Sequence, residues 1–196
     1  MSHLTPLSPD SVGELEPILR LVAGAMGFVP NSLLTMARWP ELVRAFVPLA
    51  GLVNAPGRVP APTKSLVALV ASRAAGCSYC QAHTSHTAAH RGVPAEKVAA
   101  AFEFETSPLF DAAERAALRY ARDASVVPGC VTPEHHAELA KHFDALQIVE
   151  LTGVIALFGF LNRWNDALAT TLEAEPRAFA AKALSPAGWD VGKHAS

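Results

Sequence analysis

Cys77 and Cys80 stand three residues apart in the segment CSYC, and His83 follows at the same interval. A CxxC at the start of a helix has a physical use. Unpaired backbone N–H groups and the positive end of the helix dipole stabilise a thiolate there. A lowered thiol pKa makes the nucleophile available near neutral pH. The i, i+3 spacing puts both sulfurs on one face, within reach of a disulfide. A thiolate so placed attacks a peroxide or a disulfide, and its neighbour resolves the product. Helix-start position alone favours Cys77 as the anion. His83, one turn beyond Cys80, is placed to take a thiol proton or to stabilise the thiolate as a cation. His86 and His90 continue along the helix, with Thr84 and Ser85 nearby. His90 reads as a solvated face, and His86 stands between that and a part in proton transfer.

Cys77, Cys80, His83 and His86 are also zinc-ligand types. Structural zinc draws its ligands from separated pairs, however. Four ligands packed into ten residues of one helix do not readily surround a tetrahedral ion. The spacing therefore points to dithiol chemistry with no metal and no cofactor. The remaining cysteine, Cys130, lies in a PGC turn and reads as an idle loop thiol. Three cysteines are too few for a disulfide scaffold, and in a reducing compartment a CxxC is redox-active or metal-binding rather than a structural bridge.

The elements that position these groups are helical. The chain has 196 residues, of which 51% are hydrophobic and 17% charged. That excludes disorder and allows a core built without staples. Ala and Leu dominate over strand-favouring residues, so the fold is expected to be all-α. A net charge of −2 argues against a nucleic-acid partner, which would need a basic face, and against a polybasic membrane anchor. The opening MSHLTPLSPD lacks the charged start and apolar run of a secretory signal. The apolar stretch Leu151 to Leu161 is shorter than the ~20 residues of a membrane span. A soluble, cytoplasmic protein is expected. Pro17 opens a first helix, Asn31 caps a second, and Pro40 opens a third with a kink at Pro48. A nearly fully buried helix runs from Pro62 to a stop at Gly76. The CxxC helix runs from about Cys77 to Gly92, and Pro94 starts another. Asp111 opens a helix, Thr132 and Pro133 open the next, and Asp144 with Gln147 forms a capping box before a long apolar helix. Residues 176–196 read as a tail or arm.

Sliding the chain by 85 residues aligns two apolar segments. Ser65 meets Glu150, Cys77 meets Asn162, Tyr79 meets Trp164 and Cys80 meets Asn165. This suggests duplicated helical hairpins within a single domain over 1–196, with pseudo-repeats at about 40–92 and 111–170 and the thiols in the first copy only.

Four stretches carry a family likeness: MGFVPNSLLTMARWPELVRAF at 26–46, VALVASRAAGCSYCQAHT at 67–84, AERAALRYARDAS at 113–125 and VELTGVIALFGFLNRWNDAL at 149–168. They resemble the carboxymuconolactone decarboxylase and alkylhydroperoxidase D-like superfamily, in its peroxidase-related branch. The resemblance implies packed helical hairpins, assembly as a homo-oligomer, and a redox-active CxxC that reduces hydroperoxides or serves a peroxide-reducing partner. By position it makes Cys80 the attacking thiolate and Cys77 the resolving thiol. It also implies a histidine four residues after the second cysteine, where this chain has Thr84, so that His83 substitutes. A relay glutamate belongs twelve residues before the first cysteine, where this chain has Ser65. Glu150, the counterpart of Ser65 in the second copy, is the alternative relay carboxylate, or else it complements the dipole of the long helix.

Three functions compete. The first is a thiol-dependent peroxidase or disulfide reductase that takes a small hydroperoxide and a thiol or dithiol electron donor. The second is a lactone decarboxylase-like lyase, which would move protons by histidine and would not need two thiols. The third is a non-enzymatic redox-sensing helical oligomer. The mean hydropathy of +0.23 points to more apolar surface than a monomer hides, hence to a homo-oligomer.

Overall fold

The computed structural model describes residues 2–195. It contains ten α-helices and no strand among those residues. In chain order they are α1 Glu16–Met26, α2 Asn31–Met36, α3 Pro40–Asn54, α4 Ala61–Ala74, α5 Ser78–His90, α6 Ala95–Ala99, α7 Ala112–Ser125, α8 Pro133–Leu139, α9 Ala145–Leu168 and α10 Ala174–Ala183. The central helix is α4, which packs against α5, α7 and α9. It is buried on all sides from Lys64 to Ser72, as its lack of a polar stripe requires. A second apolar cluster joins α1, α2 and α3 to Leu157 of α9.

Local chemistry accounts for most boundaries. Asp111 and Asp144 are N-caps, each forming a reciprocal capping box, with Glu114 and Gln147 respectively. Pro48 is accommodated inside α3. Asn31 is not a cap: Pro30 holds that position. The Asn31 side chain instead donates to Thr171 O at 2.9 Å, and its backbone N–H is satisfied by Glu173 from across the molecule.

The apolar run that looked short belongs to α9, a continuous helix of 24 residues with hydropathy 1.7, long and apolar enough to cross a bilayer. Here α9 lies against α3, α4, α5 and α7. The two segments matched at the 85-residue offset are thus both long helices, and they pack on each other. Where the chain breaks at Gly76 before α5, α9 runs on unbroken through Asn162 and Asn165.

Of the segment read as a tail or arm, the described residues 176–195 pack back on the fold. They include most of α10, which packs on α5, and then short turns that bury Leu184, Trp189 and His194.

Glu150 holds a loop. Its carboxylate accepts from Arg58 N–H at 3.0 Å and Val59 N–H at 3.1 Å, and pairs with the buried Lys64 Nζ at 3.0 Å. A Cβ at Gly57 would fall 2.5 Å from that carboxylate, so glycine is needed for the approach. Fifteen residues at about 1.5 Å each place Glu150 roughly 22 Å along α9 from Asn165, which lies at the thiols. It is a structural group and does not reach the CxxC. The two backbone N–H bonds and Lys64 hold its carboxyl down at about 2. A depressed carboxyl contributes stability above its ordinary pKa, lost as pH falls through the folded value. Glu150→Ala should therefore lower the unfolding free energy by about 3 kcal/mol near neutrality, because Lys64 is left buried and unpaired. The deficit relative to wild type should shrink between about pH 4.5 and 2. Guanidinium titrations at several pH values measure this, and thiol titration should be unaffected.

Candidate active site

Gly76, at φ +76°, makes the turn that ends α4 and aims Cys77 at the start of α5. Such a backbone conformation suits glycine alone. Cys77 is the N-cap of α5, and its Sγ accepts the Cys80 N–H at 3.3 Å. The two cysteines are 3.2 Å apart and both are free. Neither has appreciable exposure: Cys77 is at 0% and Cys80 at 2%.

The two thiols have opposite electrostatics. The hydrogen bond from the Cys80 thiol, with help from His194 and the Cys80 N–H, overcomes burial and brings Cys77 down to about 6. Burial pushes Cys80 up, and the neighbouring Cys77 pushes it further. Asn165 Nδ2 donates to Cys80 Sγ at 3.5 Å, a smaller opposing effect. The anion therefore belongs on Cys77. This reverses the order implied by the resemblance and agrees with the helix-start argument.

His83 is beside the pair in sequence but points elsewhere. Its Nε2 meets Glu173 Oε2 at 2.6 Å, and its ring stacks on Tyr79 with centroids 4.4 Å apart. Tyr79 donates its hydroxyl to the other Glu173 oxygen at 2.9 Å. Burial opposes ionisation of Glu173, but the His83 contact and the Asn31 N–H outweigh it and hold the carboxyl below its usual range. Burial, with the nearby Glu173 charge, raises Tyr79 and keeps it a neutral donor. Glu173 is thus a carboxylate bound to two side chains of the thiol helix. Its place 90 residues after His83 gave no spacing signal.

The other candidates lie apart from the thiols. Ser65 donates to Ala61 O at 3.1 Å and accepts from Arg91 Nη1 at 3.0 Å. Arg91 follows the far end of α5, roughly 16 Å along the axis from Cys80, so Ser65 cannot act as a relay. His86 pairs with His90 at 4.2 Å and meets the edge of Phe179 on α10. Burial lowers its basicity. Thr84 Oγ1 bonds back to Cys80 O at 2.7 Å. With His83 on Glu173 and His86 on α10, the four residues considered for zinc do not converge. Cys130 is exposed, apart from the site.

The C-terminal segment supplies what the sequence did not reveal. Trp189 Nε1 donates to Ser78 O, on the first residue of α5, at 3.1 Å. His194 is buried, with Nδ1 donating to Thr170 O at 2.8 Å and its ring 5.7 Å from that of Tyr79. On the other side, a cleft of about 700 Å³ lies between the end of α4, α7 and α9, lined by Tyr120, Ile155, Phe160 and Asn162 among others. The Asn162 amide is buried with neither end paired. It precedes Asn165 by one helical turn.

Residues 40–123 match the carboxymuconolactone decarboxylase family. The chain is 38% identical over 105 residues to the uncharacterized protein YnjA of Escherichia coli (strain K12), a match covering 54% of this chain and 58% of YnjA, less than two thirds of that relative's length. It is 41% identical to the debrominase Bmp8, with a TM-score of 0.86 over 91% of this chain and 96% of the other. The same likeness holds for a cysteine-to-alanine Bmp8 variant in complex with 2,3,4-tribromopyrrole. A peroxidase-related protein from Ralstonia eutropha JMP134, described as an alkylhydroperoxidase AhpD core, shares the fold with a TM-score of 0.79 at 20% identity, over 91% of this chain and 95% of that one. Family segment and whole-length relative agree, and the chain belongs to the carboxymuconolactone decarboxylase family, with an all-helical fold shared with the alkylhydroperoxidase AhpD core.

Proposed function

We propose that the protein is a dithiol reductase that delivers two electrons from Cys77 and Cys80 to a small electrophile, with a hydroperoxide as substrate. One observation carries this reading: two free cysteines 3.2 Å apart, of which Cys77 alone is favoured as the anion. Cys77 attacks the peroxide oxygen and becomes a sulfenic acid, and an alcohol leaves. The Cys80 thiol condenses with the sulfenic acid to form the disulfide and water. An external thiol or dithiol restores the pair, which suits the reducing cytoplasm. No cofactor enters this cycle. His83, held by Glu173, packs Tyr79 against the start of α5 and supports the site rather than the sulfur. A lactone decarboxylase-like lyase would leave this polarised pair idle, and a sensor without turnover would not need two polarised sulfurs in contact.

A second reading is favoured by the 41% identity to a debrominase over nearly the whole chain. The same two electrons can reduce a carbon–bromine bond. An aryl bromide and two thiols give the arene, a disulfide and hydrogen bromide. The cleft beside Asn162 would suit the ring of such a substrate.

Assembly as a homo-oligomer is part of the proposal. It is supported by the exposed apolar side chains Leu49 and Leu52 on α3 and Val149 and Phe160 on α9. Light scattering should give a multiple of 20.7 kDa, and a monomer at that mass would refute it.

The chemistry is tested directly. One equivalent of hydrogen peroxide should remove two thiols from the reduced protein, and Cys77→Ser or Cys80→Ser should reduce donor-dependent turnover at least about a hundredfold. If the thiols react no faster than free cysteine, the peroxidase reading fails. Tribromopyrrole with dithiothreitol, followed by bromide release, tests the second reading.

The rate should also follow the Cys77 anion. Below about pH 6 the thiol is protonated and turnover should fall about tenfold per unit, and above it the rate should level off. A midpoint near that of a free thiol would show that Cys77 is not the nucleophile.

A further inference from the structure

We propose that His194 is the proton acceptor for Cys77, taking the thiol proton on Nε2 and returning it to the leaving group. The proposal rests on the reading of Cys77 and Cys80 as the reacting dithiol. It begins from an unpaired atom: Nε2 of His194 is buried and has no hydrogen-bond partner among the described residues. Nδ1 meets the carbonyl oxygen of Thr170 at 2.8 Å, and a carbonyl only accepts, so Nδ1 carries the hydrogen. The neutral ring must then present a lone pair at Nε2. A buried lone pair without a donor is costly, and the group whose ionisation the His194 ring favours is the Cys77 thiol.

The ring is held in place from several directions. Its backbone carbonyl accepts Leu172 N–H at 2.9 Å. Trp189 ties the same segment to Ser78 O at 3.1 Å. Tyr79 borders the imidazole at 5.7 Å. The arrangement is that of a base whose far nitrogen is fixed by a second group, the logic of an activated nucleophile.

The titratable groups around the pair are few. Cys80 and His194 face Cys77. Tyr79, beside the ring, is held neutral. Glu173 is engaged with Tyr79 and His83. On the arm, Lys193 is paired with Asp166 at 2.8 Å and Asp190 accepts Gly192 N–H.

The step balances. The Sγ–H bond breaks and its proton moves to Nε2. The sulfur electron pair attacks one oxygen of the hydroperoxide, so that an S–O bond forms and the O–O bond breaks. The departing alkoxide takes the proton from the imidazolium and leaves as the alcohol. The ring is neutral again before Cys80 condenses with the sulfenic acid and releases water.

The test follows the ultraviolet absorbance of the thiolate against pH in a Cys130→Ser background, for His194→Asn and His194→Gln beside the unaltered His194. Asn keeps an N–H where Nδ1 sits and so keeps the anchor on Thr170, but removes Nε2. The Cys77 midpoint should rise by about one pH unit or more in both variants. If His194→Asn keeps the wild-type midpoint, His194 is only an anchor and the proposal is wrong. If the variants do not fold, nitrogen NMR of the wild-type protein decides. The His194 Nε2 resonance should move when Cys77 and Cys80 are oxidised to a disulfide, because the sulfur it faces no longer gives or takes a proton; an unchanged resonance overturns the proposal. Failure of the dithiol reading itself is distinguishable, since wild-type protein would then reduce neither peroxide nor tribromopyrrole, whatever the thiolate titration shows.

Discussion

One hydrogen bond organises this site: the Cys80 N–H reaches back to Cys77 Sγ at the first turn of α5. A helix leaves its first N–H groups without partners, and something must accept from them. Serine or aspartate is the usual acceptor. A sulfur in that position is a weak acceptor as a thiol and a far better one as a thiolate, so the cap itself favours the anion. The bond also separates two chemically identical residues. Cys77 gains at the end of the helix what Cys80, one turn inside, cannot. The geometry in turn depends on Gly76, whose left-handed turn lets α4 stop and α5 begin without a longer loop.

Burial strengthens this polarisation and sets a condition on it. In a low-dielectric interior each hydrogen bond to an anion counts for more, while an uncompensated anion would be severely penalised. The site meets that condition with donors from three parts of the chain: α5 itself, the C-terminal arm and α9. Glu173 plays the corresponding part for the donors next door. It accepts from Asn31 at the start of α2 and from Tyr79 on α5, and pairs with His83, while sitting at the N-cap of α10. One carboxylate thereby ties two helices, α2 and α10, to the thiol helix. Side chains that cover the sulfurs must still move for a substrate to arrive, and the arm bearing Trp189 and His194 is the last segment laid over them.

What could be read from the sequence was local. The helix start at Asp111, the capping box at Asp144, the stop at Gly76 and the CxxC at a helix start each rest on residues within a few positions of one another, and each is where the sequence placed it. The fold class was legible for the same reason, since helix signals are short-range. What could not be read was long-range. Glu173 and His194 are ordinary residues in ordinary surroundings until the chain brings them 90 and more residues back to α5. The segment from Pro176 onward carries four Pro and Gly breaks, which read as a tail or arm. Those breaks are instead what turns the chain back over α5. His83 shows the converse error. Its spacing from Cys80 is correct for contact, but a buried carboxylate is a stronger partner for imidazole than a thiol that burial keeps neutral. Glu150 and Ser65 were chosen by register alone, and both proved to be taken up by nearer cationic partners, Lys64 and Arg91.

The 85-residue register bears on why the second long helix carries amides where the first half carries thiols. Asn165, the counterpart of Cys80, meets Cys80 itself across the packed pair of helices. A sulfur at that position would be a third redox partner at contact distance, able to capture the disulfide and trap the wrong pairing. An apolar residue would leave Cys80 without a donor in a dry core. An amide does neither: it donates a hydrogen bond to sulfur and cannot exchange with it. Asn162, the counterpart of Cys77, is buried with both ends unpaired beside an open cleft. An unpaired amide in that position has a cost, which a molecule entering the cleft with a donor and an acceptor of its own would relieve. The thiols and the amides are then two halves of one arrangement, with the reactive atoms on α5 and the groups that keep their pairing unambiguous on α9.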